Sequence, residues 1–342
     1  MSYRYIGNKT RLVPKLIEVI SSLVPAHSTI ADPMCGTASV SEGLRTAGFK
    51  VISSDIMTYS LHHARVRLLM DAPPAFAGMD ELSYYDIIQE LQMLEPVKGF
   101  FYKEFSPSGK PKNCELPRKY FTPENAASID AITQRINELV TTGLITDFEE
   151  SLLRHDLILA ANRVANIAGT YGHFRSKWSS GSKAKLMLKP AEFNWGFSCD
   201  HIVLNGPIEE VSKEISADLC YMDPPYMKRQ YAANYHIIET IAKGDRPEAI
   251  GVSGLRNWWG QYSDFCSKVK IRSAFESVFK NMDCNKFVIS YSEDGLLKRD
   301  DLIDFFSDFG SLKVFEIENQ RFKSNSSGKG GKLKEYLFYL RV

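Results

Sequence analysis

A short apolar run, Leu219-Cys220-Tyr221-Met222, passes without a spacer into Asp223-Pro224-Pro225-Tyr226, and this junction limits what the chain can fold into more than any other feature. An apolar run of this length, ended by prolines, reads as a strand buried on both faces, which occurs where helices cover both sides of a parallel sheet. In open sheets of that kind ligands bind beyond the carboxyl ends of the strands, which is where Asp223 stands. A carboxylate followed by proline offers two acceptors at one point, the Asp223 side chain and the Pro224 carbonyl, and proline brings no N–H to interfere. Together they can take both hydrogens of an aromatic amine and draw its nitrogen lone pair toward an electrophile, with Tyr226 stacked on the ring. Asp223, Pro224, Pro225 and Tyr226 are therefore the expected catalytic group. The plain alternative is a strand-ending turn, because Asp-Pro and Pro-Pro both interrupt regular structure.

The rest of the chain supplies the sheet that this reading needs. Apolar spacing predicts a helix over residues 12–23, a strand over 28–32, a helix over 39–47 and a strand over 50–54 ending at Asp55, which together make a β-α-β unit. A further helix over 60–70 stops before Pro73 and Pro74. Strands are predicted again at 201–204, 219–222, 286–291, 312–317 and 335–340, the last two flanking a Gly- and Lys-rich loop as a hairpin. The expected fold class is thus α/β: a Rossmann-like, mostly parallel seven-stranded sheet with an antiparallel terminal hairpin. Between its halves the pattern turns helical (84–94, 123–141, 147–168) with basic, polar loops. The predicted domains are 1–70 with 198–342, and an inserted, mainly helical domain at 71–197.

Two stretches around the first strand and helix have the character of a nucleoside pocket. Asp32-Pro33-Met34-Cys35-Gly36-Thr37-Ala38-Ser39 ends a strand and opens a helix, where Gly36 permits close backbone approach and free N–H groups favour an electronegative partner. Asp55, about twenty residues on, stands where a carboxylate grips ribose hydroxyls. The G-x-G-x-x-G fingerprint is absent, which disfavours a nicotinamide enzyme. Before the first helix, Tyr3-Arg4-Tyr5-Ile6-Gly7-Asn8-Lys9 places a lysine able to reach a carboxylate such as that of a methionine moiety.

These motifs, in this order, resemble those of the alpha-class, Dam-like DNA adenine methyltransferases: Tyr5-Ile6-Gly7-Asn8-Lys9, Asp32-Pro33-Met34-Cys35-Gly36, Asp55 and Asp223-Pro224-Pro225-Tyr226. The resemblance covers nearly the whole chain. It implies that Tyr5, Gly7, Lys9, Asp32, Gly36 and Asp55 hold S-adenosylmethionine, and that Asp223, Pro224 and Tyr226 hold a flipped adenine. The cofactor set is completed by Asn8, Pro33, Met34, Thr37, Ala38, Ile56, Asn205 and Asp223. Met34 stands where the family usually has Phe, Ala38 where it has a second Gly, and Asn205 where it commonly has an acid. Lys286-Phe287-Val288-Ile289-Ser290-Tyr291 is similar to the family strand that ends in Ser-Tyr near the target base. The family's target-recognition region falls where the helical insertion is predicted. The segment Gly169-Thr170-Tyr171-Gly172-His173-Phe174 fits a loop facing the active site and a helix terminus equally well.

Charge bears on the partner. The net charge is +1, so the whole chain does not announce a nucleic acid. Residues 98–119 hold six basic side chains against two acids, and residues 171–190 and 319–334 hold five each against none. Such loops suit phosphates and base edges, or serve as solvated surface. The expected DNA contacts are Lys119, Arg175, Lys177, Lys183, Lys228, Arg229, Gln230, Tyr231 and Lys323. The partners expected are double-stranded DNA and a cognate restriction endonuclease, with no membrane and no metal. The six cysteines form no C-x-x-C pair and read as reduced thiols, and no stretch approaches the roughly 20 apolar residues of a membrane span. A cytoplasmic protein, bacterial or phage-encoded, follows. Cytosine amino methylation, RNA or protein-glutamine methylation and a non-catalytic nucleic-acid-binding module are the competing readings.

Overall fold

Apolar residues on both faces of every central strand commit the sheet to two cores, and a computed structural model of the protein shows both. The strands are β1 (Thr29–Asp32), β2 (Lys50–Asp55), β3 (Ile202–Asn205), β4 (Leu219–Met222), β5 (Lys286–Ser292), β6 (Ser311–Gln320) and β7 (Lys332–Arg341). They form one seven-stranded sheet in the order β3-β2-β1-β4-β5-β7-β6. The first five pair in parallel, and β7 runs antiparallel to both β5 and β6. Along β4, Cys220 and Met222 enter one core while Leu219 and Tyr221 enter the other; Phe287 and Val288 of β5 divide in the same way. One core receives the helix Val13–Leu23 through Leu16 and Ile20, and the other receives Ile271–Asn281 and Arg299–Ser307 through Phe275, Phe279 and Phe306.

The chain divides into two compact units: Met1–Gly7, Met70–Trp195 and Ala232–Gly260 in one, and Asn8–Leu69, Gly196–Tyr231 and Gln261–Val342 in the other. The structure describes residues 4–80, 82–193, 200–320 and 332–342. The sheet lies in the second unit. The first is mainly helical, with Tyr84–Met93, Pro123–Thr141, Asp147–Val164 and His236–Lys243 as its longer elements.

The first unit thus adds Ala232–Gly260 to the residues expected as an insertion, and buried arginines are the reason. Arg118 donates to the carbonyls of Ala249, Gly251 and Val252 as well as to Glu104, and Arg154 donates to the carbonyl of Ile241. Each guanidinium needs several acceptors once water is excluded, and segment 232–260 supplies them as backbone oxygens. The unassigned stretch Gly169-Phe174 is a packing element: Tyr171 is fully buried, its carbonyl accepts from Tyr120 and faces His236, and its N–H donates to Asn234. The helix starting at Asp147 ends at Val164 rather than at 168, because Ala165 turns extended at ψ 135°. Among the described residues no helix is long and apolar enough to cross a membrane.

Candidate active site

The sheet order reverses direction between β1 and β4, and the chain leaves both strands there at their carboxyl ends. Asp32 ends β1, Asp55 ends β2 and Asp223 follows β4, so the carboxylates expected as functional all stand on one end of the sheet, beside the switch point.

Asp223 is tied to two residues distant in sequence. Lys9 Nζ lies 3.1 Å from Asp223 Oδ1 and 2.6 Å from Glu335 Oε1, and Ser290 donates to the same Glu335 oxygen at 2.6 Å. Lys9 is 4% exposed and Glu335 2%. Burial favours loss of the Lys9 proton, but the two carboxylates outweigh it and hold its pKa well above the usual lysine range. Burial also raises the Asp223 carboxyl, to about 6, against the opposing pull of Lys9 and with the added push of Glu335. Lys9 stands against Oδ1, which is closed off from solvent, so any acceptor capacity the carboxylate offers a substrate lies on its other oxygen. Beside it the Tyr226 ring lies 5.6 Å from Lys9 Nζ and meets Tyr291 edge to face at 5.9 Å. Leu296 N–H donates to the Tyr226 carbonyl at 2.9 Å, which fixes the loop.

The loop after β1 is built for close approach. Gly36 and Ala38 both take left-handed backbone conformations, φ 53° and 57°, before the helix Ser39–Thr46. Asp55 fastens it by accepting from Gly36 N–H at 2.8 Å, and its other oxygen takes Met57 N–H at 2.9 Å. Asn205 donates to the carbonyl of Asp55 at 2.7 Å, so its amide nitrogen braces β2 against β3. Asp32 is buried and accepts from Ser41, which also meets Ser53. Burial, with Asp223 and Asp55 nearby, pushes its carboxyl up to about 7 against the Ser41 hydrogen bond. Pro33 and Thr37 are buried, and Met34 and Ile56 are half-buried.

This arrangement sets a lysine-paired carboxylate and an aromatic ring next to a left-handed loop at the switch point. The sequence profile of the family described as D12 class N6 adenine-specific DNA methyltransferase matches residues 5–305. The chain belongs to this family. It is similar to the type II methyltransferase M.NlaIII of Neisseria lactamica, at 31% identity over 344 residues covering 98% of each chain. The modification methylase LlaI of Lactococcus lactis subsp. lactis is 32% identical over 349 residues, covering 99% of this chain and 55% of that protein. The type II methyltransferase M.FokI of Planomicrobium okeanokoites is 28% identical over 345 residues, covering 99% of this chain and 52% of its own length. The chain thus spans about half the length of some relatives and nearly all of another.

Lys9, Asp32, Gly36, Asp55, Asp223 and Tyr226 all belong to the second unit, whereas Tyr5 and Gly7 belong to the first. There Tyr5 stacks on Tyr235 at 4.6 Å, and the Ile6 N–H donates to the Tyr235 hydroxyl. Gly7 turns the chain at φ 72°, and Asn8 caps the next turn by accepting from Thr10 N–H. Among the expected DNA contacts, Arg175, Lys177, Lys183, Lys228 and Arg229 are exposed, Lys119 and Tyr231 are half-buried, and Lys323 lies outside the described residues. Gln230 is a correction: it is buried, and its amide donates to the Ser263 carbonyl and accepts the Ser263 N–H, both at 2.9 Å. It staples two loops together. The residue that sequence reading misses is Glu335. Its signal is faint: on β7 it shares a face with Leu337 and Tyr339, so an acid occupies a core-facing register position.

Proposed function

We propose that this chain transfers a methyl group from S-adenosylmethionine to the exocyclic N6 of an adenine swung out of double-stranded DNA. The observation that carries the reading is Asp223, followed by a proline at the switch point and paired with the buried Lys9. Family membership supports the base and the atom.

The residues present fit the cofactor. The left-handed Gly36 and the small Ala38 let a ligand approach the backbone, and Asp55 stands at the end of β2, where a carboxylate meets ribose hydroxyls. Asp32, Met34, Ile56 and Asn205 complete that pocket. When bound, S-adenosylmethionine supplies an electrophilic methyl on a sulfonium. Asp223 and the Pro224 carbonyl orient the amine by taking its two hydrogens, so that the lone pair faces the methyl in line. The nitrogen gains a methyl and sheds one proton, and Asp223, the adjacent base, accepts it. Tyr226 stacks on the extruded ring and offsets part of the few kcal/mol that unstacking costs. Arg175, Lys177, Lys183, Lys228 and Arg229 meet phosphates and base edges, with the mainly helical unit as the target-recognition domain. The chain serves in the cytoplasm as the modification partner of a restriction endonuclease, a role supported by the names of its relatives.

Asp223→Ala tests the reading. Transfer to DNA should fall by at least about a thousandfold, as expected for loss of the group that orients the amine, while the variant still binds the cofactor by calorimetry. Nucleoside analysis of DNA treated with the wild type should return N6-methyladenine at one short site. Full activity of the variant, or methylation of another base, overturns it.

A further inference from the structure

Two carboxylates share one ammonium in the second unit, Glu335 buried and Asp223 partly exposed, and only Asp223 borders the amine site. Asp223 and Glu335 flank Lys9 at 3.1 and 2.6 Å, so the cluster carries a net charge of one minus while Asp223 is ionised. Glu335 reaches this place because β7 pairs with β5, which sets Glu335 opposite Ser292 and lets Ser290 donate to its Oε1. It is nearly fully buried and belongs to none of the motifs that carry the proposed reaction.

Without Glu335 the Lys9 ammonium would have a single carboxylate to satisfy it and would be drawn onto Asp223, using up the acceptor that the amine needs. A lone buried ion pair is also neutral, whereas the proposed methyl donor is a cation and the amine becomes positive as it is methylated. We propose that Glu335 is a positioning residue for methyl transfer, holding Lys9 from behind so that Asp223 remains a strong acceptor and the cluster keeps a negative charge for the cationic donor. This rests on the reading of Asp223 given above. The charged and titratable groups that act on Asp223 are Lys9 and Glu335; Asp32, Tyr221 and Tyr226 also lie within its electrostatic reach.

The test uses Glu335→Gln, which keeps shape and hydrogen bonding but removes the charge, with Glu335→Asp as the variant that restores charge. Single-turnover methylation of DNA is followed against pH at saturating cofactor. Wild-type activity falls as pH drops through about 6, where Asp223 takes up a proton. Removing a neighbouring negative charge makes Asp223 a weaker base, so the acid limb of Glu335→Gln should move to lower pH and its plateau rate should drop about tenfold. Glu335→Asp should return the limb toward the wild-type position. Calorimetry gives a second readout without turnover: the preference for S-adenosylmethionine over S-adenosylhomocysteine, which lacks the sulfonium charge, should shrink several-fold in Glu335→Gln. A purely structural role would lower the melting temperature and the rate but leave the limb and the preference in place; either one unchanged in a folded variant overturns the proposal. If the wild type makes no N6-methyladenine, it is the reading of Asp223 that fails instead.

Discussion

Ala38 occupies a backbone conformation that costs a residue with a Cβ roughly 1–2 kcal/mol, and it is completely buried there. Replacing it by Gly relieves that cost and adds unfolded-chain entropy, so Ala38→Gly should leave stability unchanged or raise it by up to about 1 kcal/mol in urea unfolding. A loss of more than 1 kcal/mol would show that the left-handed conformation is not under strain. Lys9 shows the opposite case, a charge that cannot be removed alone. Lys9→Met leaves Asp223 and Glu335 without a cation, so about 3–5 kcal/mol should be lost at pH 8. The loss should shrink at pH 5, where Asp223 takes up a proton; equal losses at both values would contradict this account.

At the scale of elements, the sheet draws its strength from two-sided burial, and the aromatic face beside β5 is its densest part. Phe275 meets Phe265 at 4.9 Å and Phe306 at 5.1 Å, both nearly perpendicular, and is wholly buried. Phe275→Ala should cost about 3–5 kcal/mol by chemical unfolding, well above the few tenths expected at the surface. The strands are legible in the sequence because each alternates between two apolar faces or ends on a turn signal. The helices Ile271–Asn281 and Arg299–Ser307 escape a reading along the chain, although both are amphipathic. Their apolar stripes are split by Lys, Asp and Ser, and the sheet face they cover is needed to recognise them. β6 and β7 run to ten residues each, longer than the apolar runs at 312–317 and 335–340 suggest, because the backbone pairing of the hairpin extends beyond them.

For the molecule as a whole, buried carboxyls set how stability depends on pH. In the first unit Asp156 is completely buried, burial pushes its carboxyl up to about 8, and Tyr84 donates to it while accepting from Ala191 N–H. A folded-state value above the unfolded value near 4 means that the native chain holds a proton the unfolded chain has released. This group therefore lowers stability as pH rises from about 4 to about 8, and has no further effect above that. Asp156→Asn should flatten the slope and be more stable than wild type at pH 8 but not at pH 5, by thermal melting. His236 acts in the other sense: burial lowers it to about 3, so it withdraws stability as pH falls below about 6.5.

The sequence by itself determined the order of strands along the sheet unit, the Asp-Pro-Pro-Tyr junction after β4, and the acids at the ends of β1 and β2. These depend on local patterns, namely apolar period, turn residues and helix caps, which act over a few positions. Only the tertiary structure decided that Lys9 lies against Asp223 and Glu335, across 214 and 326 positions of chain, and that Gln230 closes on Ser263 rather than facing outward. It also decided that residues 232–260 join the helical unit, because buried Arg118 and Arg154 take their acceptors from that backbone. The common reason is desolvation: a buried charge must find partners wherever the fold supplies them, and no local pattern records which partner that will be.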